Sequence, residues 1–321
     1  MLRFRIPEIL QQIDDLNVGG WMVNFGKKNV LGIMIDAVDY DVAVSFVFER
    51  VRQIRSAMVS ALAVHGVMTG VLDPEHKFRL NSFDLLVPDG QPVRWVLNWL
   101  YGTGLSDRVY GPALMLRICE RAAAEGAPIY LYGSTQSVVT SLVDSLSRKF
   151  PGIKIAGSEP SVFRDLNPDE NASLEQRIRL SGASIVFIGL GCPLQEVFTC
   201  ELAGRLSVPI LAVGAAFPLL AGQLPQAPPW MQRVGLEWLF RLFVEPRRLW
   251  RRYLLLNPAY LVLVALQRFG LRHFTAQGRT PVNNLSPDVL ADTLAGAHAS
   301  LETSEAARLS LISTSTDTWW S

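Results

Sequence analysis

Arginines and large apolar residues are concentrated together in residues 225–258. This segment holds six arginines among Trp, Phe and Leu residues. On a helix, Arg241, Arg248 and Arg252 would share one side, because they are spaced at i, i+7 and i+11. Another side would carry Leu236, Leu239, Phe240 and Phe243. Pro246 can begin a new helix, so this face is approximate. The pattern suits an anionic membrane surface or a phosphorylated lipid. A core helix with a solvated arginine face explains it equally well.

Asp89 is a candidate general base. It follows the apolar run 85–87 and precedes Gly90. If that run is a strand of a parallel sheet, the carboxylate lies at the strand's carboxyl end, where ligands bind. There it could accept a proton from a substrate hydroxyl. An Asp-Gly turn that caps the next helix is the simpler interpretation, and the local sequence alone favours it.

Two glycine-containing turns each join a predicted strand to a predicted helix, a place where backbone N–H groups attract phosphate. Their residues of interest are Gly133 and Ser134 in the first turn, and Gly189, Gly191, Gln195 and Glu196 in the second. Neither turn is a full G-x-G-x-x-G, and neither is followed by the acidic residue of a dinucleotide site. Ordinary tight turns explain both equally well.

Metal ligation is not predicted. Asp39 and Asp41 form a D-x-D pattern that can hold a divalent cation, but Asp41 is better explained as the N-cap of the next helix. The three cysteines form no C-x-x-C pair, which argues against a disulfide framework or a zinc site and fits a reducing compartment. His65, just past a strand, is either a site residue or a satisfied buried imidazole. Nothing near Cys192 indicates a reactive thiol.

Composition limits the classes of protein that fit. The 321 residues are 49% hydrophobic and carry a formal net charge of +1. This is enough for a well-buried core, and the balanced charge argues against a general nucleic-acid binder. The apolar run 253–266 is interrupted by Asn257 and Pro258, and spanning a bilayer takes about 20 apolar residues, so we expect it to lie in or on a surface. The N-terminus shows no signal-peptide pattern.

Predicted strands alternate with predicted helices from residue 30 onward. The strands are 30–36, 57–64, 83–89, 128–134, 153–160, 184–193 and 209–217, and the helices include 41–55, 92–102, 113–126, 137–150 and 168–182. This alternation predicts an α/β fold with a parallel sheet and helices on both faces. We expect a leader over 1–29, the α/β domain over 30–224, a membrane-associating helical appendage over 225–270 and a disordered tail over 271–321.

Six motifs occur in an order that resembles the WecG/TagA/CpsF family of bacterial glycosyltransferases (glycosyltransferase family 26). They are V-P-D-G-x-P-V-R-W (87–95), R-V-Y-G (108–111), Y-L-Y-G-S (130–134), G-L-G-C-P-x-Q-E (189–196), V-G-A-A-F (213–217) and the long arginine- and tryptophan-rich motif at 227–253. The resemblance covers roughly residues 30–268. It implies a GT-E type fold, in which an amphipathic C-terminal appendage joins the Rossmann-like domain.

The resemblance also implies a reaction and its partners. A sugar would pass from a UDP-sugar to a polyprenyl-diphosphate-linked sugar, with inversion and without a bound metal or other cofactor. The protein would be peripheral, on an anionic membrane surface at the cytoplasmic face of the inner membrane. Nucleic acid is not an expected partner, and a homo-oligomer is possible.

Site residues are carried over from the matching motifs. The resemblance implies that Asp89 is the general base, that Gln195 contacts the sugar or nucleotide, and that Arg241, Arg248 and Arg251 reach the active site and the lipid diphosphate. The expected substrate-binding residues are His65, Gly90, Arg108, Gly111, Gly133, Ser134, Gly189, Gly191, Glu196 and Arg252. In an inverting transfer without a metal, arginine must supply positive charge where the leaving diphosphate develops negative charge.

Three positions depart from the family pattern. Leu194 and Pro218 stand where many relatives carry a basic residue and an aspartate, and Ala61 and Ala63 stand where a T-x-N element is common. Each departure removes a polar group from the expected cleft, and our hypothesis is that His65 substitutes in part. A family member that has lost catalysis and serves as a membrane-surface scaffold is therefore the alternative. A nicotinamide-dependent oxidoreductase is disfavoured, because the dinucleotide fingerprint is absent.

Overall fold

The structure, a computed structural model, describes residues 22–162, 164 and 166–281, without the side chains of Arg248, Arg251 and Arg252. The chain divides into two units, 1–278 and 279–321. All the elements below belong to the first unit.

The first described element is a β-hairpin. Strands β1 (Asn24–Val30) and β2 (Ile33–Val38) pair antiparallel, and Val30 lies opposite Ile33. The two residues between them, Leu31 and Gly32, both have positive φ, as tight hairpin turns require. The prediction of a single strand over 30–36 is therefore wrong. Residues 24–29, which we expected to form the end of a leader, lie in strand β1 and belong to the fold.

Six parallel strands form the main sheet, in the order β4-β3-β8-β7-β5-β6. Their bounds are Ala57–Leu62 (β3), Leu85–Pro88 (β4), Ile129–Tyr132 (β5), Ile155–Glu159 (β6), Ile185–Ile188 (β7) and Pro209–Ala212 (β8). Strands β4, β5, β7 and β8 are buried at every residue, as expected where both faces are covered. The predicted Rossmann-like α/β fold is confirmed.

Helices cover both faces of this sheet. They are α1 (Tyr40–Gln53), α2 (Val64–Leu72), α3 (Pro74–Asn81), α4 (Gln91–Tyr101), α5 (Gly111–Glu125), α6 (Gln136–Lys149), α7 (Pro168–Leu180), α8 (Leu194–Ala203) and α9 (Ala216–Leu220). One face packs against α1, α5, α6 and α9. The other packs against α7 and α8, and against the hairpin with α2 and α4.

Aspartates cap two of these helices. Asp39, not the predicted Asp41, is the N-cap of α1: its Oδ1 accepts from the Val42 amide at 2.9 Å, and its Oδ2 accepts from the Val23 amide at 2.7 Å. Helices α2 and α3 were not predicted. They are short and almost continuous, and Asp73 ends one and caps the next.

The C-terminal segment consists of several consecutive short helices and not of one continuous helix. It comprises α10 (Pro229–Arg233), α11 (Glu237–Val244), α12 (Pro246–Arg251), a π-helical turn (Arg252–Leu256) and α13 (Asn257–Arg268). Pro246 begins a new helix, as predicted. Because of this break, the single arginine face expected across positions 241, 248 and 252 does not exist as one helical side.

Helix α13 and the residues after it pack against the hairpin side of the molecule. Tyr260 and Val264 are buried in the core that the hairpin shares with α2 and α4. Asn29 Nδ2 donates to the Phe274 carbonyl, and Asn81 Nδ2 donates to the Ala276 carbonyl, each at 2.7 Å. Phe274 and Ala276 therefore belong to the fold, although we expected the disordered tail to begin at residue 271. Residues 282–321 of the expected tail lie outside the described residues. Every helix in the described part of the chain is too short or too polar to span a bilayer.

Candidate functional site

A cleft of about 510 Å³ lies at the carboxyl ends of β3, β4, β7 and β8. This is where open parallel sheets bind ligands, and its volume suits a molecule of nucleotide size. Its walls come from the turn after β7, the turn after β8 and the appendage. The predicted residues that line it are Asp89, Ser134, Gly189, Gly191, Gln195, Glu196 and Arg241.

A second, smaller hollow of about 90 Å³ adjoins this cleft. Ala63, Asp89 and Arg241 border both cavities. The smaller hollow is also lined by His65, Gly90, Arg108, Trp238, Tyr253 and Asn257. Asp89 therefore stands where the two cavities meet, which is the position required of a group that acts between two substrates.

Asp89 does not cap the helix that follows it. The N-cap of α4 is Gly90, and it makes no side-chain capping bond. Asp89 Oδ1 instead accepts from the amide of Gly111 at 2.7 Å, at the start of α5. Burial raises the pKa of Asp89, and the positive charge of Arg108 and the Gly111 hydrogen bond oppose that rise. A carboxylate with a raised pKa is a stronger base, so the geometry and the electrostatics both favour general-base chemistry.

A buried ion pair attaches the appendage to the sheet domain beside Asp89. Arg108 Nη2 lies 2.6 Å from Glu237 Oε2, and both side chains are almost fully buried. Tyr110 donates its hydroxyl to Glu237 Oε1 at 3.2 Å, and Gln232 Oε1 accepts from Arg108 at 3.3 Å. Burial alone would raise the pKa of Glu237, but Arg108 and Arg241 outweigh it, so the pKa falls and the carboxylate stays charged.

Glu237 was missed by the sequence analysis. The available signal was a lone acidic residue within the apolar run G-L-E-W-L-F. A carboxylate there is either exposed or matched by a buried cation. The cation is Arg108, which lies far away in the sequence, so the local pattern does not identify it.

Arg241 is the appendage arginine that the structure places at the site. Its Nε lies 3.6 Å from Glu237 Oε1, and its side chain is 25% exposed. Burial alone would lower the pKa of Arg241, but nearby groups including Tyr110 and Glu237 raise it, so it stays protonated. The side chains of Arg248, Arg251 and Arg252 lie outside the described residues, and their roles remain predictions.

Gln195 and Glu196 organise the turn after β7. Gln195 Oε1 accepts from the Gly191 amide at 3.2 Å, and its Nε2 donates to Glu196 Oε1 at 2.8 Å. Ser60 Oγ donates to the same Glu196 oxygen at 3.0 Å. Burial raises the pKa of Glu196. Gln195 therefore holds the turn while it lines the cleft.

The remaining predicted residues lie around this framework. Ser134 adopts positive φ at the cleft wall, and Gly133 lies behind it against Gly189. A Cβ on Gly133 would come within 2.8 Å of the Gly189 backbone, so the two turns can touch only because residue 133 has no side chain. Gly111 acts through its amide on Asp89. The departures Ala61, Ala63, Leu194 and Pro218 line the cleft and make part of its wall apolar.

Replacing Glu237 with Gln should destabilise the protein by roughly 3 kcal/mol, because Arg108 would keep its buried charge without a counter-ion. Urea unfolding measures the change. The matched control is Glu175→Gln, which breaks a surface pair with Arg179 and should cost less than about 1 kcal/mol. Equal losses in the two variants would show that the Arg108–Glu237 pair is no more important than a surface contact.

Comparisons with known proteins identify the family of this chain. The family model described as Glycosyl transferase WecG/TagA/CpsF family matches residues 28–274. A curated relative, the N-acetylglucosaminyldiphosphoundecaprenol N-acetyl-beta-D-mannosaminyltransferase of Bacillus spizizenii, is 28% identical over 207 residues. The aligned region covers 64% of this chain and 78% of the relative. Because the family match spans most of the chain, including the sheet, Asp89 and the appendage, the protein belongs to the WecG/TagA/CpsF family and is a glycosyltransferase.

Proposed function

We propose that the protein transfers a sugar from a UDP-sugar to a polyprenyl-diphosphate-linked sugar, with inversion at the transferred carbon. The observation that carries the proposal is the position of Asp89 between two cavities. The larger cleft has the volume for a nucleotide sugar, and the acceptor hydroxyl would approach Asp89 from the side of the smaller hollow. The name of the Bacillus relative describes N-acetylmannosaminyl transfer, so UDP-N-acetylhexosamines are the first donors to test.

In the proposed reaction, Asp89 accepts the proton of the acceptor hydroxyl. The hydroxyl oxygen attacks the anomeric carbon of the donor from the face opposite the leaving group. A new carbon–oxygen bond forms, the bond to the diphosphate breaks, and its electron pair leaves with UDP. A single displacement of this kind inverts the anomeric centre and needs one carboxylate beside the acceptor.

Arg241 is the proposed partner of the leaving diphosphate. It borders both cavities, and its planar guanidinium can donate two hydrogen bonds to phosphate oxygens. In this proposal arginine supplies the positive charge that a divalent cation supplies in other transferases. Arg248 and Arg251 are expected to add to it. The Arg108–Glu237 pair positions Arg241, because Glu237 contacts both arginines.

The appendage is proposed to bind an anionic membrane surface at the cytoplasmic face, where a lipid-linked acceptor would be presented. Large apolar side chains are exposed along it: Trp230, Phe243, Trp250, Leu254, Leu255, Leu261 and Val262. Phe243 is 76% exposed, which is costly in water and useful at a lipid interface. Self-association through the same surface is the competing use.

The replacement Asp89→Asn should lower acceptor-dependent UDP release by roughly 10²- to 10⁴-fold, because it removes the base. Donor affinity, measured by calorimetry, should change little, since the proposed proton transfer involves the acceptor. The matched control is Asp84→Asn, at the opposite end of the same strand, where the carboxylate bonds the Met58 amide. Asp84→Asn should leave turnover unchanged. An Asp89→Asn variant that releases UDP as fast as an active wild type would point to another base. A wild type that releases no UDP from any donor would point to the scaffold alternative.

The pH dependence of kcat/KM should reflect the titration of Asp89. The base works deprotonated, so kcat/KM should fall as the pH drops through the raised pKa of Asp89, above the range of an ordinary aspartate. Arg241 lowers that pKa, so Arg241→Gln should move the acid limb to higher pH. Arg241→Lys keeps the charge and should leave the limb near its original position. Identical limbs in all three proteins would contradict the assignment of this limb to Asp89.

Charge on the apolar appendage should abolish membrane binding. The double variant Leu254→Glu, Leu255→Glu should no longer sediment with vesicles that contain anionic lipid, because carboxylates are repelled by the headgroups. The control is Leu180→Glu on α7, an exposed leucine outside the appendage. Wild-type protein that stays free of vesicles but forms dimers through this surface would favour self-association.

A further inference from the structure

Three groups that commonly bind transition metals converge beside the turn after β7. They are His76 of α3, Cys192 of the turn and Glu196 of α8. Their ligand atoms, one ring nitrogen, one thiol sulfur and one carboxylate oxygen, all lie within 4.8 Å of one another. The sequence analysis did not find this cluster, because it searched for paired cysteines, and His76 lies far from the other two in the sequence.

Two members of the cluster are deeply buried. His76 is 1% exposed and Glu196 is fully buried. Glu196 Oε1 accepts hydrogen bonds from Ser60 and Gln195, and the Cys192 side chain also hydrogen-bonds Glu196. Within the described part of the chain, His76 Nε2 has no hydrogen-bond partner. Buried polar atoms are nearly always paired with protein, water or an ion, so the His76 ring nitrogen indicates a missing partner beside the thiol and the carboxylate.

The spacing is close to that of a metal site. Three points no more than 4.8 Å apart always have a position within about 2.8 Å of each, and zinc bonds to nitrogen, sulfur and oxygen are roughly 2.0–2.3 Å long. Shifts of less than about 1 Å per side chain would therefore bring all three into coordination.

We propose that His76, Cys192 and Glu196 bind a divalent transition-metal ion of the zinc class. A mixed nitrogen, sulfur and oxygen set suits such an ion, whereas Mg²⁺ and Ca²⁺ prefer oxygen ligands alone. Cys192 and Glu196 also line the cleft, so a fourth coordination position would open toward it. The ion would tie α3 to the turn after β7 and to α8. This binding is independent of the proposed transfer reaction, in which Arg241 meets the diphosphate.

The test measures metal content and affinity in the full-length chain, purified without a histidine tag. Elemental analysis should find close to one zinc ion per chain. The chelator-treated protein should regain Zn²⁺, but not Mg²⁺, in competition with a chromophoric chelator. Zinc should also raise the Tm of the treated protein, because the ion binds only the folded state. In the Co²⁺-substituted protein, a thiolate-to-metal charge-transfer band in the near ultraviolet should report Cys192.

The variants separate this site from adventitious binding. His76→Phe, which fills the buried space with an apolar ring, and Cys192→Ser should each lower zinc affinity at least 10-fold, the loss expected for one ligand. Cys200→Ser is the matched control, because it removes a neighbouring α8 thiol outside the cluster and should keep the ion. The proposal is overturned if the wild type binds no zinc at micromolar concentration. It is also overturned if His76→Phe and Cys192→Ser both bind zinc as tightly as the wild type does. The circular dichroism spectrum of each variant shows whether it is folded.

Discussion

The buried pair between Arg108 and Glu237 is the interaction on which the site depends. It joins the loop before α5 to the first turn of α11, so the sheet domain and the appendage meet at a charged contact. Removing either partner would leave an uncompensated buried charge, which costs far more than the loss of a surface pair. The pair therefore holds α11 against the sheet domain, and with it the position of Arg241.

The same pair shapes the electrostatics around Asp89. Burial favours the protonated carboxyl, whereas Arg108, Arg241 and the Gly111 amide favour the charged form. Glu237 works against the two arginines and also holds them in place. These opposing effects leave Asp89 with a raised pKa, in a position bordered by two cavities. The proposed base for the acceptor and the proposed cation for the leaving group therefore belong to one connected network.

Close backbone contacts build the other wall of the cleft. Gly133 and Gly189 touch where two strand-end turns meet, and Gln195 ties the second turn to Glu196. Glu196 in turn bonds Ser60 on β3, which links the turn to the middle of the sheet. The apolar positions Ala61, Ala63, Leu194 and Pro218 add no polar groups to this wall. The proposed recognition of the donor would therefore rest on the backbone amides and the remaining side chains.

Local patterns in the sequence determined the fold class and the position of Asp89. Alternating apolar strands and amphipathic helices are properties of neighbouring residues, and they predicted the parallel sheet; an aspartate after an apolar run predicted a strand-end carboxylate. Local patterns failed at the hairpin, where Leu31 and Gly32 turn the chain inside one apolar run, and at the short helices α2 and α3. Only the tertiary structure decided that Glu237 pairs with Arg108, that Asp89 bonds the start of α5, and that His76 approaches Cys192 and Glu196. Those partners are distant in sequence. Which distant residue a side chain contacts depends on how the helices and strands pack, and the neighbouring residues in the sequence do not specify that packing.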